Sequence, residues 1–322
     1  MVDSPGRITL WGIEVFVATA EEGAISAAAR RLATSPSTVS QQLTALEAAL
    51  GATLMVRNAR PITLTPAGEV FRRRASAILN EAALARAELA MSDLSTLTRL
   101  RLGMIEDLES DVTPALLTRL ASDMSGCQFL LETGPSHALY GQLDDRALDV
   151  VVAAEMGAEA DWMEVHPLLT EPFVIAVPKG LVDPAGDVLA QLRTMPLIQY
   201  SARLAMGRMI AAHLVRQNLK LSHRFEIDSY HSVLALVAEQ GGWSILTPLA
   251  LMRARRWLDR VDVLPLPFEP LSRNISLTAR NGLLGEMPAQ MAAHLRDLLD
   301  SHIVTPAIRD YPWLAGALTL RP

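Results

Sequence analysis

The chain has 322 residues, of which 50% are apolar and 20% are charged. This composition excludes an intrinsically disordered protein, and the length suits two or three domains. With 29 basic against 35 acidic residues, the formal net charge of -6 excludes a uniformly basic coat for nucleic acid or an anionic membrane, although not a local basic patch.

The single cysteine, Cys127, excludes an internal disulfide and a Cys-rich zinc site. No apolar run reaches the roughly 18 residues of a membrane span, and the first residues lack the basic-then-apolar pattern of a signal peptide. We therefore predict a cytoplasmic protein with no membrane partner.

Charge is unevenly distributed along the chain. Residues 57–74 carry five arginines against one glutamate, whereas residues 96–322 carry 20 basic and 26 acidic residues. This distribution favours either an N-terminal part that meets a polyanion or a solvated helix face.

Three helices are predicted in the first 51 residues. Apolar residues at three- or four-residue spacing predict the first helix over residues 9–22, and Gly23 ends it. Ser26 is expected to cap a short second helix. Ser35 is expected to cap the third, with Pro36 at its first position. The short turn between the second and third helices predicts a helix-turn-helix.

The third predicted helix has an apolar inner face and a polar outer face, and it ends at Gly51. The outer face shows Ser37, Thr38, Gln41 and Gln42. A Gln side chain can bond adenine, and Ser or Thr can bond a base or a phosphate. Base contacts normally fall at the N-terminal end of such a helix. The alternative is an ordinary polar surface on a small helical bundle.

Residues 53–65 predict two short strands around a turn at residues 58–61. Arg57 and Arg60 lie in this hairpin, where a wing would meet phosphates. Ser26 and Ser40 are the other candidates for phosphate contacts.

The segment from Glu14 to Gly68 carries a dense set of motif positions. They are Phe16, Gly23, Ser26, Ala28, Ala29, Leu32, Val39, Ser40, Leu46, Glu47, Leu50, Gly51, Leu54, Arg57, Leu64, Thr65, Ala67 and Gly68. With them the segment closely resembles the winged helix-turn-helix of LysR-type transcriptional regulators. Ile25 and Met55 stand where the family usually has Phe, which affects core packing more than DNA contact.

The resemblance implies a DNA-binding domain over residues 1–65. Ser37, Thr38 and Gln41 are the expected base readers. Pro36 stands where many members have Gln, so one familiar base contact is missing. A two-fold dimer would place two recognition helices in successive major grooves, which implies an inverted-repeat site in double-stranded DNA.

Residues 66–95 predict a long linker helix. Its apolar seam follows a heptad spacing through Phe71, Ala75, Ile78, Ala82, Ala85 and Leu89. Such a seam favours pairing with a second copy, and the alternative is a helix that lies on its own C-terminal domain. The resemblance implies a homodimer through this helix and, commonly, a tetramer.

From residue 96 the pattern changes to strands that alternate with helices. Two successive sets predict a two-lobed α/β domain over residues 96–302, with ligands at the carboxyl ends of the strands. The resemblance implies an effector domain that looks like a periplasmic binding protein. Its first lobe would span 99–168 plus 274–302, and its second lobe would span 169–273.

Ten residues at strand ends and helix starts are candidates for effector binding. They are Glu106, Asp107, Thr133, Tyr200, Ser201, Arg203, Ser229, His231, Trp243 and Thr247. Alternatives exist for several of them: the serines can be helix caps, Arg203 can form a surface ion pair, and Trp243 can belong to the core.

The acidic run from Glu106 to Asp111 has two possible placements. Its carboxylates either point to solvent at a helix start, or they face the crevice. In the second case they would repel a carboxylate ligand and favour a neutral or cationic one, with Tyr200 and Trp243 as apolar walls.

No catalytic constellation, cofactor motif or metal-ligand spacing is present in the sequence, and Cys127 is expected to be a buried core residue. The function predicted is a LysR-type regulator controlled by a small-molecule effector, and not an enzyme. The alternative is a small-molecule binding protein or enzyme whose N-terminal helices serve assembly only. The tail, residues 303–322, either packs on its own lobe or a neighbouring subunit, or is disordered.

Overall fold

The computed structural model describes residues 7–89, 97–157 and 160–322. The predicted domain 1–65 and linker 66–95 extend into segments 1–6 and 90–96, which lie outside the described residues. The chain forms two compact units with a boundary near residue 97, and residues 145–147 belong to the first unit.

The N-terminal unit contains the predicted three helices, the wing and the linker helix. The elements are α1 (Leu10–Glu22), α2 (Ile25–Arg31), α3 (Pro36–Leu50), β1 (Met55–Val56), β2 (Thr63–Leu64) and α4 (Pro66–Leu89). β1 pairs with β2 in the antiparallel sense, which confirms the hairpin. Buried apolar side chains of α1, α2 and α3 form one core beneath the wing.

Capping residues define where the first three helices begin and end. Gly23 and Gly51 adopt the left-handed conformation that ends α1 and α3, because glycine carries no Cβ. The Ser35 side chain caps α3 as expected. The prediction for Ser26 was wrong: Ala24 has the extended backbone of the N-cap, and Ser26 lies inside the first turn of α2.

The predicted heptad seam of α4 divides between two environments. Phe71 packs edge-on against Phe16 of α1 with ring centroids 5.1 Å apart, and Ala75 belongs to the same core. Ile78, one step further along the seam, is 40% exposed. The first turns of the seam therefore pack on the N-terminal unit itself, which neither sequence alternative anticipated.

The first lobe of the C-terminal unit is built on a six-stranded sheet in the order β13-β6-β12-β5-β3-β4. Its strands are β3 (Arg99–Met104), β4 (Gln128–Thr133), β5 (Val150–Ala154), β6 (Met163–Pro172), β12 (Ser272–Arg280) and β13 (Thr319–Leu320). The helices in these segments are α5 (Val112–Asp123), α6 (Ser136–Asp144) and α11 (Met287–Leu299). β5 runs parallel to β3 but antiparallel to β12, so the sheet is mixed.

The second lobe has two small sheets, β10-β7-β11 and β8-β9. Its strands are β7 (Val174–Pro178), β8 (Leu197–Tyr200), β9 (His223–Ile227), β10 (Ser244–Leu246) and β11 (Val261–Pro265). Its helices are α7 (Val188–Leu192), α8 (Ala205–Arg216), α9 (Tyr230–Ala238) and α10 (Pro248–Arg253). An isolated bridge between Leu197 and Trp243 joins the two sheets.

The predicted lobe boundaries need correction. β6 stays in the first-lobe sheet as far as Pro172, and β12 enters that sheet at Ser272. The chain therefore passes between the lobes at about residues 172 and 272, and not at 168 and 274. The first difference arises because β6 is longer than its mixed sequence pattern suggested.

The tail packs on its own chain. It forms α12 (Thr305–Asp310), and β13 pairs with β6 at the edge of the first-lobe sheet. Leu314 and Leu318 are buried, whereas Trp313 is exposed.

Candidate functional site

Three hydroxyl groups cluster at the start of α3. The Ser35 Oγ atom accepts from the backbone N–H of Thr38 at 3.1 Å and lies 2.7 Å from the Oγ atom of Ser37. The Thr38 hydroxyl is 2.8 Å from the same Ser35 oxygen. Ser37 and Gln41 are exposed, so this end of α3 presents hydrogen-bonding groups to solvent.

The other predicted contacts on α2 and α3 are less uniform. Ser26 and Pro36 are exposed, whereas Ser40 is half-buried. Gln42 is half-buried as well, and its Oε1 atom lies 3.8 Å from the place that a Cβ on Gly12 would take. Gln42 therefore faces α1 and is a weaker candidate for base contact than Gln41.

The two wing arginines have different surroundings. Arg57 Nη2 contacts Glu47 Oε2 at 2.5 Å, and Arg57 Nη1 donates to Thr44 Oγ1 at 3.0 Å. Glu47 also accepts the backbone N–H of Leu54 at 2.8 Å, so this carboxylate ties α3 to the first wing strand. Arg60 is exposed and forms no ion pair with the described residues. Its charge is therefore the less compensated of the two.

A cleft of about 780 Å³ lies between the lobes of the C-terminal unit. Its walls are the segments that follow the carboxyl ends of strands β3, β4, β5, β8 and β9, together with the start of α8. The first lobe contributes residues 105–107, 134–136, 154–157 and Arg273; the second lobe contributes Tyr200, residues 204–206 and 208–209, and residues 228–230.

Four of the ten predicted effector residues line this cleft, namely Glu106, Asp107, Tyr200 and Ser229. Ser229 is the N-cap residue of α9, but its side chain makes no capping bond. Thr133, Arg203 and His231 do not line the cleft, although each lies within two residues of a segment that does.

The remaining three predicted residues are buried for structural reasons. Trp243 is fully buried and donates its indole N–H to the carbonyl of Leu192 at 3.1 Å. Ser201 donates to Glu226 at 2.8 Å and does not cap α8, whose N-cap is Leu204. Thr247 caps α10. Of the two alternatives for Trp243, the cleft wall was wrong, because the residue belongs to the core of the second lobe.

The floor of the cleft holds a buried ion cluster that sequence reasoning missed. Arg273 Nη2 lies 2.6 Å from Glu171 Oε1 and 3.4 Å from Asp107 Oδ1. The side chains of Arg273, Glu171 and Asp107 are 6%, 0% and 4% exposed. Burial raises the pKa of Glu171 above its usual range. Burial alone would lower the pKa of Arg273, but Glu171 and Asp107 outweigh it and raise that pKa.

Two tyrosines stack beside this cluster. The rings of Tyr200 and Tyr230 are 5.0 Å apart and within 11° of parallel. The Tyr200 hydroxyl donates to the carbonyl of Asp228 at 3.2 Å. Burial raises the pKa of Tyr200 to about 12, and the negative charge of Asp107 adds to the rise.

The acidic run after β3 has both of the placements that the sequence allowed. Glu106 and Asp107 line the cleft. Glu106 also lies 3.3 Å from Arg253, Glu109 pairs with the same arginine at 2.7 Å, and Asp111 lies 3.7 Å from Arg255.

The described residues contain no group of three His, Cys, Asp or Glu side chains that could hold a metal ion. None of their helices is both long and apolar enough to cross a membrane. Cys127 is half-buried just before β4 and not in the core as expected, and burial raises the pKa of its thiol.

Comparisons with known proteins cover both units. Residues 10–69 match the family described as bacterial regulatory helix-turn-helix protein, lysR family, and residues 95–313 match the LysR substrate binding domain. A probable hydrogen peroxide-inducible genes activator of Mycobacterium avium is 34% identical over 180 residues. That match covers 56% of this chain and 58% of the relative's length.

Two further matches span most of the chain. The DNA-binding transcriptional dual regulator OxyR of Escherichia coli is 27% identical over 302 residues, which are 90% of this chain and 95% of that protein. A full-length OxyR variant from Pseudomonas aeruginosa has a similar fold, with a TM-score of 0.67 at 22% identity. That match covers 90% of this chain and 98% of the solved chain.

Proposed function

The chain belongs to the LysR family of bacterial transcriptional regulators, and from that premise we propose that it binds double-stranded DNA under the control of a small molecule. The DNA would contact α3 and the wing, and the small molecule would bind in the cleft between the lobes. The main observation in favour of DNA binding is the exposed start of α3, where hydroxyl and amide groups meet solvent. The wing adds Arg60, which is exposed and forms no ion pair with the described residues.

We propose base contacts from Ser37, Thr38 and Gln41, and phosphate contacts from Ser26, Ser40, Arg57 and Arg60. The first turn of α2 supports Ser26, because its hydroxyl is exposed there and a serine hydroxyl can bond a phosphate oxygen. A homodimer through α4 would present two such surfaces to an inverted repeat. As a chromosome-binding protein it would act in the cytoplasm.

The signal proposed is a reversibly bound molecule. One similar protein is described as a probable hydrogen peroxide-inducible genes activator, and another as OxyR. This chain, however, has only one cysteine. A disulfide within the chain needs two thiols, so this route to a redox signal is closed. The cleft is of the size that small-molecule sites have, about 300–1,000 Å³.

DNA binding can be tested by fluorescence anisotropy with a labelled duplex from the region upstream of the protein's own gene. A duplex of the same composition in scrambled order is the control. We expect tighter binding to the upstream duplex at moderate salt, by a factor of at least about 10³. Equal affinity for both duplexes would contradict the proposal.

Gln41→Ala should relax sequence selectivity. An exposed glutamine at this end of α3 is suited to a bidentate contact with adenine, which discriminates by about 1–3 kcal/mol. Affinity for the upstream duplex should fall while affinity for scrambled DNA stays unchanged. Gln42→Ala is the matched control, because Gln42 faces α1. An equal loss of affinity for the upstream duplex in both variants would contradict a specific base contact by Gln41.

The two wing arginines should respond differently to salt. Arg60→Ala should lower the slope of log affinity against log salt by about 0.9, the effect of losing one phosphate contact. The thermal stability should not change, because Arg60 is exposed. Arg57→Ala should weaken binding to all sequences and lower the slope too, and it should also lower the melting temperature because it releases Glu47. An unchanged slope would remove that arginine from the phosphate contacts.

A further inference from the structure

The cleft between the lobes carries more negative than positive charge. Its lining holds two guanidinium groups, Arg208 and Arg273, against four carboxylates, Glu106, Asp107, Glu155 and Asp228, of which Glu106 is paired with Arg253 at 3.3 Å. Arg208 donates to the backbone carbonyls of residues 202 and 203, and Arg273 is held by Glu171. A ligand that is only an anion would therefore enter a negative field.

Asp107 has an incomplete set of partners. Its side chain is buried, and its Oδ1 atom accepts no hydrogen bond from the described residues. Its ion-pair partner Arg273 is 3.4 Å away and is shared with Glu171, which lies closer. A buried carboxylate oxygen without a donor is costly, so a donor brought by a ligand would stabilise this site.

Glu155 supplies a second carboxylate on the same wall. It follows β5, which is the neighbour of β3 in the sheet, and Asp107 follows β3. Its partners are neutral: Asn274 Nδ2 donates to Oε2 at 3.0 Å and Ser276 Oγ donates to Oε1 at 2.5 Å. Its negative charge is therefore solvated by hydrogen bonds but not cancelled by a cation among the described residues.

The opposite wall is mainly apolar. It consists of the stacked pair Tyr200 and Tyr230 together with Leu204, Met206 and Met209. Tyrosine and methionine side chains pack well against an aromatic or aliphatic body. α8 and α9 begin at this wall without side-chain caps, so their backbone N–H groups are available to an oxygen on the same ligand.

We propose that the effector is an organic amine with an aromatic or aliphatic body, and that its ammonium group binds between Asp107 and Glu155. A carboxylate at its other end is compatible with the free ends of α8 and α9, but a carboxylate alone is not sufficient. This inference rests on the proposed role of the cleft as the effector site.

The test is a calorimetric titration of the full-length protein with four probes that share one body. They are 2-phenylethylamine, L-phenylalanine, 2-phenylethanol and 3-phenylpropionate. The two amines should bind at least about tenfold more tightly than 3-phenylpropionate, the difference expected from a hydrogen bond to a charged group. Asp107→Asn should weaken amine binding by about tenfold or more and leave 2-phenylethanol unchanged.

Two substitutions in the cleft and one outside it distinguish the amine proposal from the proposed role of the cleft as effector site. Asp107→Asn leaves Arg273 paired with Glu171, so folding should be retained, and Glu155→Gln is a second variant with the same expectation. Asp111→Asn, outside the cleft, is the matched control. If 3-phenylpropionate binds more tightly than the other three probes and Asp107→Asn does not change its affinity, the amine proposal is wrong. The cleft then remains the proposed effector site. Absence of binding by all four probes would overturn both.

Discussion

Replacing Arg273 by methionine is expected to lower the free energy of unfolding of the C-terminal unit by about 3–5 kcal/mol at neutral pH. The substitution keeps much of the side-chain volume but leaves Glu171 and Asp107 buried beside each other without their shared cation. Urea unfolding followed by tryptophan fluorescence measures the effect, because four of the five tryptophans lie in this unit.

The pH dependence of this variant has a definite sign. Without Arg273, the folded-state pKa of Glu171 rises further, because burial and the nearby negative charge of Asp107 disfavour its charged form. A carboxyl whose folded pKa is raised binds more protons in the folded state. The destabilisation should therefore be largest above the raised folded pKa of Glu171 and should shrink as the pH falls through it.

Two comparisons isolate the cause. Adding Glu171→Gln to Arg273→Met should recover part of the loss, because one buried charge is removed. Arg255→Met, which breaks a half-exposed pair with Asp111, should cost less than about 1 kcal/mol. If Arg273→Met also lowers the free energy of unfolding by less than about 1 kcal/mol, and does so equally at every pH, groups other than Arg273 must solvate the two carboxylates.

Gly68→Ala is expected to disrupt the N-terminal unit. A Cβ on Gly68 would lie 2.0 Å from the carbonyl oxygen of Leu54 and 3.0 Å from its carbonyl carbon. Leu54 is buried, and its carbonyl also accepts the backbone N–H of Thr65 at 3.0 Å. This backbone cannot yield as a side chain would, so the start of α4 must move away from the wing.

The expected cost of Gly68→Ala is about 3 kcal/mol, at the upper end for overpacking. Hydrogen exchange of amides in α1, α3 and the wing should speed up, and affinity for DNA should fall at least about tenfold, which corresponds to 1.4 kcal/mol. Gly141→Ala in α6 is the control, since its Cβ would meet no atom within 4 Å. It should be neutral or slightly stabilising. Unchanged exchange in Gly68→Ala would contradict the close approach.

The N-terminal unit was largely predictable because its signals are local. Ser35 and Pro36 start α3 and Gly51 ends it, all within 17 residues of chain, and the apolar stripe between them sets the buried face. The error at Ser26 came from the same source: two residues near a helix start can both look like caps, and backbone conformation decides between them.

The floor of the cleft could not be predicted, because it depends on strand register. Arg273 and Glu171 are 102 positions apart, and they meet because they are direct cross-strand partners of β12 and β6. Charged residues in a strand pattern normally indicate a solvated face, so the sequence gives no reason to place either residue in a buried cluster. β6 itself, with Glu164, His166 and Pro167, shows no regular alternation, and its pairing alone makes it a strand.

Trp243 illustrates a different limit. Trp243 lies immediately before β10, but the direction of its side chain depends on the neighbouring β8. The bridge to Leu197 turns the indole toward the carbonyl of Leu192, inside the second lobe.

The lone Cys127 offers a single attachment point for a spectroscopic label. It does not line the cleft, and it stands at the entry to β4 on the first lobe, so a fluorophore or spin label there would report on that lobe without further mutagenesis. Its raised pKa means a smaller thiolate fraction at neutral pH, since the thiolate is the reacting form. Labelling by a maleimide should accordingly be slow near pH 7 and accelerate as the solution is made more alkaline.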